Sequence, residues 1–174
     1  MIASVYNRGI MSDLTFMSSV GVKFSATQVA REIVNFMRLE PSCDYKITLG
    51  TDSLRGLGTA ADFVTAIVVH RVGRGARYFW RRIDLDNFHT LRDRIMREVL
   101  ISLEIAHDFI DKLENEVIGG VKPHYDFEIH VDVGDNGATK VMIQELVGMI
   151  RANNFEARIK PFSYAASNVA DRHV

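Results

Sequence analysis

Two runs of alternating residues, each carrying an aspartate near its end and separated by a hairpin and a long amphipathic stretch, constrain this chain most. From Tyr45 to Asp52, Tyr45, Ile47 and Leu49 fall on one side, and Lys46, Thr48, Gly50 and Asp52 on the other. From Phe127 to Val133 the pattern repeats, with Glu128, His130 and Asp132 opposite Phe127, Ile129, Val131 and Val133. A period of two marks strands. Both aspartates share the less apolar phase, so a sheet that aligns the two runs gathers them on one surface.

The remaining elements follow from local signals. Ser25 with Gln28 has the form of a capping box, and Val29, Ile33, Val34 and Met37 continue it as a helix over Ala26 to Arg38. Phe63 to Arg71 and Arg77 to Ile83 read as a hairpin turned by Gly73-Arg-Gly75. Thr90 and Asp93 can cap a helix from Leu91 to about Asn115, which Gly119, Gly120 and Pro123 end. A turn at Asp135-Asn-Gly137, a helix over Thr139 to Asn153, a short strand over Glu156 to Lys160 and a short helix over Ser163 to Val174 complete the order βββαβαβα after one leading helix. Residues 1–23 read as an irregular segment and 24–174 as one α/β domain.

At 174 residues, 47% of them apolar, the chain can bury one sizeable core. The formal charge of −1 points neither to nor away from a nucleic-acid partner, so any basic surface has to be local. Cys43 is alone, which excludes an internal disulfide and fits a reducing cytoplasm. No apolar run has the length of a signal peptide or a membrane span, so no membrane role is expected.

Four acids stand out: Asp52, Asp132, Glu98 on the long helix, and Asp171 near the end of the chain. At about 100° per residue, Glu98 lies at the margin of the core stripe near Leu91, Ser102 and Ile105, whereas Glu104 shares the outer side with Asp93, Arg97 and Asp108. A carboxylate turned toward a core is costly unless a cation or donor compensates it. Each acid alone has an ordinary explanation, as a turn cap or a surface residue. Together they form the kind of set that holds divalent cations against a phosphodiester.

Their order resembles the ribonuclease H-like superfamily. More narrowly, Ile47 to Ser53, Ile129 to Gly134 and Lys160 to Arg172 resemble the YkuK-type family of predicted nucleases. The resemblance implies a five-stranded mixed sheet, three antiparallel strands then two parallel, flanked by helices, with the leading helix as an addition. It also implies that Asp52, Glu98, Asp132 and Asp171 are catalytic metal ligands for a pair of Mg2+ or Mn2+ ions. Asp52 would bridge the pair, with Asp132 and Glu98 on one ion and Asp171 on the other. The expected activity is hydrolysis of RNA or DNA; the alternative is a catalytically weak or inactive domain that binds nucleic acid or serves as a scaffold.

His130 shares the phase of Asp132 and is an accessory candidate, as is Ser53 beside Asp52; a strand histidine bonded to a neighbour is the commoner case. Arg74, Arg77, Tyr78, Trp80 and Arg81 gather on the hairpin, where arginines can hold phosphates while aromatics stack on bases. Alternating charge and aromatics equally describe an edge strand protected from aggregation.

Overall fold

A computed structural model describes residues 14–117, 123–134 and 139–174. The expected turn at Asp135 to Gly137 lies outside them. Strand β1 (Thr15–Ser18) pairs with β2 (Lys23–Ser25), which runs straight into helix α1 (Ala26–Arg38). The capping box forms as expected: the Gln28 amide donates to Ser25 Oγ at 3.2 Å, and the Ser25 amide donates to Gln28 Oε1 at 2.7 Å.

Strands β3 (Tyr45–Arg55), β4 (Ala61–Arg71) and β5 (Ala76–Leu85) form an antiparallel meander. The β4–β5 turn carries φ of 76° at Gly73 and 99° at Gly75, a left-handed backbone that side chains rarely adopt. Helix α2 (Leu91–Val117) begins with reciprocal bonds between Thr90 and Asp93 and leads to β6 (Tyr125–His130), which pairs in parallel with β3. A 3-10 turn at Lys140–Met142 opens α3 (Ile143–Ala152), and β7 (Glu156–Arg158) pairs in parallel with β6. The chain then takes a π-helical stretch, Ala165–Ala170, and a 3-10 turn, Asp171–His173.

The sheet has seven strands in the order β2-β1-β5-β4-β3-β6-β7, a correction to the expected five. The expected mixed five are β3 to β7. Of the additional pair, β1 comes from the segment read as irregular and β2 straddles its end; β1 is too short to show a clear period but buries Phe16 to 1% exposure. β1 lies along part of β5, covering an edge that would otherwise offer unpaired backbone groups. Two boundaries also shift. β6 ends at His130 rather than Val133, and the last segment winds as π and 3-10 turns rather than one short α-helix.

The helices pack on one sheet surface, where Ile47, Leu49, Ile67 and Phe79 meet Ile33, Met37, Val99 and Phe109 in one buried cluster. On the other surface Ala170 and Val169 pack against Val64, Ala66 and Trp80, so the last segment is the lid of that layer. No helix among the described residues is long and apolar enough to cross a membrane.

Candidate carboxylate site

Register brings the two strand acids together. Gly50 lies beside His130 at the last rung of the parallel β3–β6 ladder, and two residues further on in each chain Asp132 comes near enough to Asp52 to raise its pKa. Asp132 lies just past the strand, yet its stretch stays tied to the end of β7 and the chain after it: the Val131 amide donates to the Arg158 carbonyl and the Lys160 amide to the Val133 carbonyl, both at 2.9 Å. Asp171 arrives on the same surface from the last segment. Glu98 comes from α2 on the opposite layer and is only 5% exposed.

Asp52 is the member that all the others touch electrostatically. Asp132 and Asp171 act on it, and it acts with Asp132 on Glu98. Burial, first, and then the neighbouring carboxylates push Asp52 up to about 6, partly offset by the Ser53 amide and by Lys160. Burial pushes Glu98 up to about 8, with Asp52 and Asp132 adding to it and Ser53 and Arg94 opposing it. Carboxyls held this far above their usual range, chiefly by burial and further by acidic neighbours, are costly to ionise, a cost that a bound cation relieves.

The compensating groups are few. Ser53 donates its hydroxyl to Glu98 Oε1 at 2.6 Å, while Arg94 Nη1 donates to Ser53 Oγ at 3.1 Å and to its carbonyl at 2.9 Å. Lys160 Nζ lies 3.0 Å from Asp132 Oδ2. Asp132 Oδ1 is shielded from solvent and has no hydrogen-bond partner. An orphaned carboxylate oxygen among oxygen-only donors suits a hard cation such as magnesium or manganese in kind. In distance the set is looser, for among the described residues no three acidic, His or Cys side chains close around a common point as a metal site would require.

His130 is a strand histidine bonded to its neighbours, the commoner of the two cases the sequence offered. Its ring is buried, its Nδ1 accepts from the Ala165 amide at 3.1 Å, its Nε2 lies 3.3 Å from Glu128 Oε2, and Tyr164 meets it edge-on at 4.7 Å. Burial, the larger influence, holds its pKa below the ordinary value despite Glu128. A neutral ring with its proton on Nε2 satisfies both contacts. His130 therefore anchors the start of the segment that carries Asp171.

The hairpin residues divide. Trp80 pairs with Ala66 and through it with Gly50, so Trp80 shares the surface of Asp52, and Tyr78 and Arg82 share it by phase. Arg77 lies across from Val69 and Ile47 at the far end of the strands, stacked over Phe36 at 4.8 Å and 3.8 Å from Glu32. Arg74 is paired with Glu40 at 2.8 Å. Arg74 and Arg77 thus belong with α1, and the structure does not bring them to the acids. Arg94 and Lys160 are the polar neighbours that sequence reasoning passed over. One signal was present for each: Arg94 precedes Glu98 by one helical turn, and Lys160 begins one of the quoted motifs.

A family model described as ribonuclease H-like matches residues 28–174. The chain belongs to the ribonuclease H-like family. The match takes in all four acids and begins inside α1, so β1 and β2 lie outside it. This ribonuclease H-like chain is similar to the uncharacterized protein YkuK of Bacillus subtilis (strain 168), 33% identical over 151 residues that span 83% of this chain and 87% of that one. No solved structure matches it significantly.

Proposed function

We propose that this ribonuclease H-like protein hydrolyses phosphodiester bonds in RNA or DNA at Asp52, Glu98, Asp132 and Asp171, with Mg2+ or Mn2+ as cofactor. The observation that carries this is the closeness of Asp132 to Asp52, two residues past the Gly50–His130 pair and near enough to raise its pKa, together with the orphaned Asp132 Oδ1. Asp52, at the electrostatic centre of the four, is the natural bridging ligand; Asp132 and Glu98 would complete one ion's ligands and Asp171 the other's. When bound, such ions activate a water and neutralise charge on the leaving oxygen. The protein's own part is to hold these carboxyls converging, where a bound cation would favour their charged form against the burial that raises them. Ser53 fixes the Glu98 carboxyl, Arg94 fixes Ser53, and His130 seats the segment that delivers Asp171.

A second reading, a nucleic-acid-binding domain with little turnover, is favoured by one observation. The acids are not closed to coordinating distance among the described residues, and Lys160 already answers Asp132. The two separate in one experiment: magnesium- and manganese-dependent cleavage of single-stranded, duplex and hybrid substrates, run beside Asp52→Asn and Asp132→Asn. The nuclease loses metal-dependent cleavage in both variants while they stay folded. Nucleic-acid binding without cleavage in the unaltered protein supports the binder.

A further inference from the structure

β1 and β5 are hydrogen-bonded only at Met17 with Trp80 and Ser18 with Phe79, and past Trp80 they part. A cleft of about 480 Å³ opens there, lined among others by Phe16, Trp80 and four cations, Lys23, Arg81, Arg82 and Arg172. No acidic side chain lines it among the described residues. Arg82 is answered by Asp62 at 3.2 Å and by the His173 carbonyl, but Lys23, Arg81 and Arg172 form no ion pair among the described residues. Arg81 Nε is shielded from solvent and has no hydrogen-bond partner; His173 Nε2, on the other wall, is in the same condition. A guanidinium donor such as Arg81 Nε left unanswered at that depth carries a free-energy penalty that an anion in the cleft removes.

One wall has a second property. The His173 ring lies flat on Trp80, with centroids 4.1 Å apart and planes 8° from parallel, as an unpaired base would lie. The cleft also has a fixed relation to the carboxylates. Asp52 pairs with Val64 and Val64 with Arg82, which puts Arg82 on the surface of Asp52 two strand spacings away, roughly 10 Å, whereas Arg81, across from Thr65 and Thr51, reaches the cleft from the helix-bearing surface around the β5 edge.

We propose that this cleft binds single-stranded nucleic acid next to the carboxylates, its phosphate held by Arg81, Arg172 and Lys23 and one base stacked on Trp80 in the place His173 takes. The inference rests on the nuclease reading above and names its substrate class. A duplex offers no free base face to Trp80, and a free phosphate makes no use of it.

Trp80 is the only tryptophan, so its fluorescence reports on the cleft directly. The full chain carrying Asp52→Asn, which prevents turnover, is titrated with an oligouridylate, an oligothymidylate, a duplex of equal length and inorganic phosphate. Labelled strands in parallel give total binding by anisotropy. Single strands are expected to shift Trp80 emission, with duplex and phosphate much weaker. Arg81→Gln with Arg172→Gln should weaken single-strand affinity by about tenfold or more, with Arg81→Lys recovering part of it. His173→Ala should bind as tightly or more tightly, and Arg74→Gln, away from the cleft, should change nothing. Circular dichroism checks that each variant folds. Strands that bind with no change in Trp80 emission, affinity indifferent to Arg81 and Arg172, or a full response to inorganic phosphate alone each overturn the proposal. Metal-dependent cleavage with a silent Trp80 overturns this inference and leaves the nuclease reading standing; single-strand binding as described without cleavage by the unaltered protein does the reverse.

Discussion

The Ser53 hydroxyl and the Glu98 carboxyl meet at 2.6 Å, which joins the end of a central strand to the first third of the long helix beneath it. Glu98 is nearly inaccessible, and Ser53 is the largest influence holding its pKa down. Ser53→Ala removes that donor from a buried group. The expected result is a loss of about 1–2 kcal/mol in denaturant unfolding at neutral pH and a further rise in the Glu98 pKa, followed by carboxyl NMR. Unchanged stability and an unchanged titration would mean that the contact carries no weight.

Raised carboxyl pKa values make the metal-free protein less stable as pH rises. Glu98 moves from 4.5 to about 8 and Asp52 from 3.8 to about 6, so between those limits the folded state binds more protons than the unfolded chain. The stabilising contribution of these two groups is then fully present below about pH 4, falls as pH climbs through that window, and is lost above about pH 8. Thermal melts between pH 4 and 9 in chelator check the slope. Glu98→Gln should flatten it, and added manganese should cancel much of the fall.

Lys160 competes with any cation drawn to Asp132, from which it stands 3.0 Å. It is about half exposed, so the ion pair is screened and modest in strength. Lys160→Met is expected to tighten manganese binding a few-fold while lowering the stability of the metal-free protein at pH 8. Calorimetric titration reads the first effect and a thermal melt the second; weaker manganese binding would show instead that Lys160 helps to hold the site together.

His130→Phe keeps a ring of similar bulk against Tyr164 but deletes both polar contacts, to the Ala165 amide and to Glu128. Hydrogen exchange at Ala165 should accelerate well beyond that of the β3 amides, with cleavage falling as Asp171 loses its seat. Ala165 protection equal to that of the unaltered protein would remove His130 from the support of this segment.

Much of the architecture could be read from local rules, because those rules were unopposed. Ser25 and Gln28 cap α1 where their spacing says they should, and the alternation from Tyr45 onward continues as a strand to Arg55. Period two also put Asp52 and Asp132 in matching phase, and the Gly50–His130 register turned that match into proximity. What local pattern lacked was partners. Thr15–Ser18 is a strand because β5 offers it an edge and the core accepts Phe16, neither of which four residues can announce. Likewise Arg77 looked like a phosphate ligand beside Trp80, but alternation sends neighbouring residues to opposite surfaces, and Arg77 went to Phe36 and Glu32. His130 carried no trace in its neighbours of the Ala165 amide, which is 35 positions away.

Manganese binding to the folded, metal-free protein at pH 8, measured by calorimetric titration beside Asp52→Asn and Asp132→Asn, tests the gathered carboxylates most directly. The expected result is saturable binding that each substitution weakens at least tenfold without unfolding the chain, because each removes a ligand from one shared pocket. Absence of binding by the unaltered protein, or equal binding by all three, would contradict it.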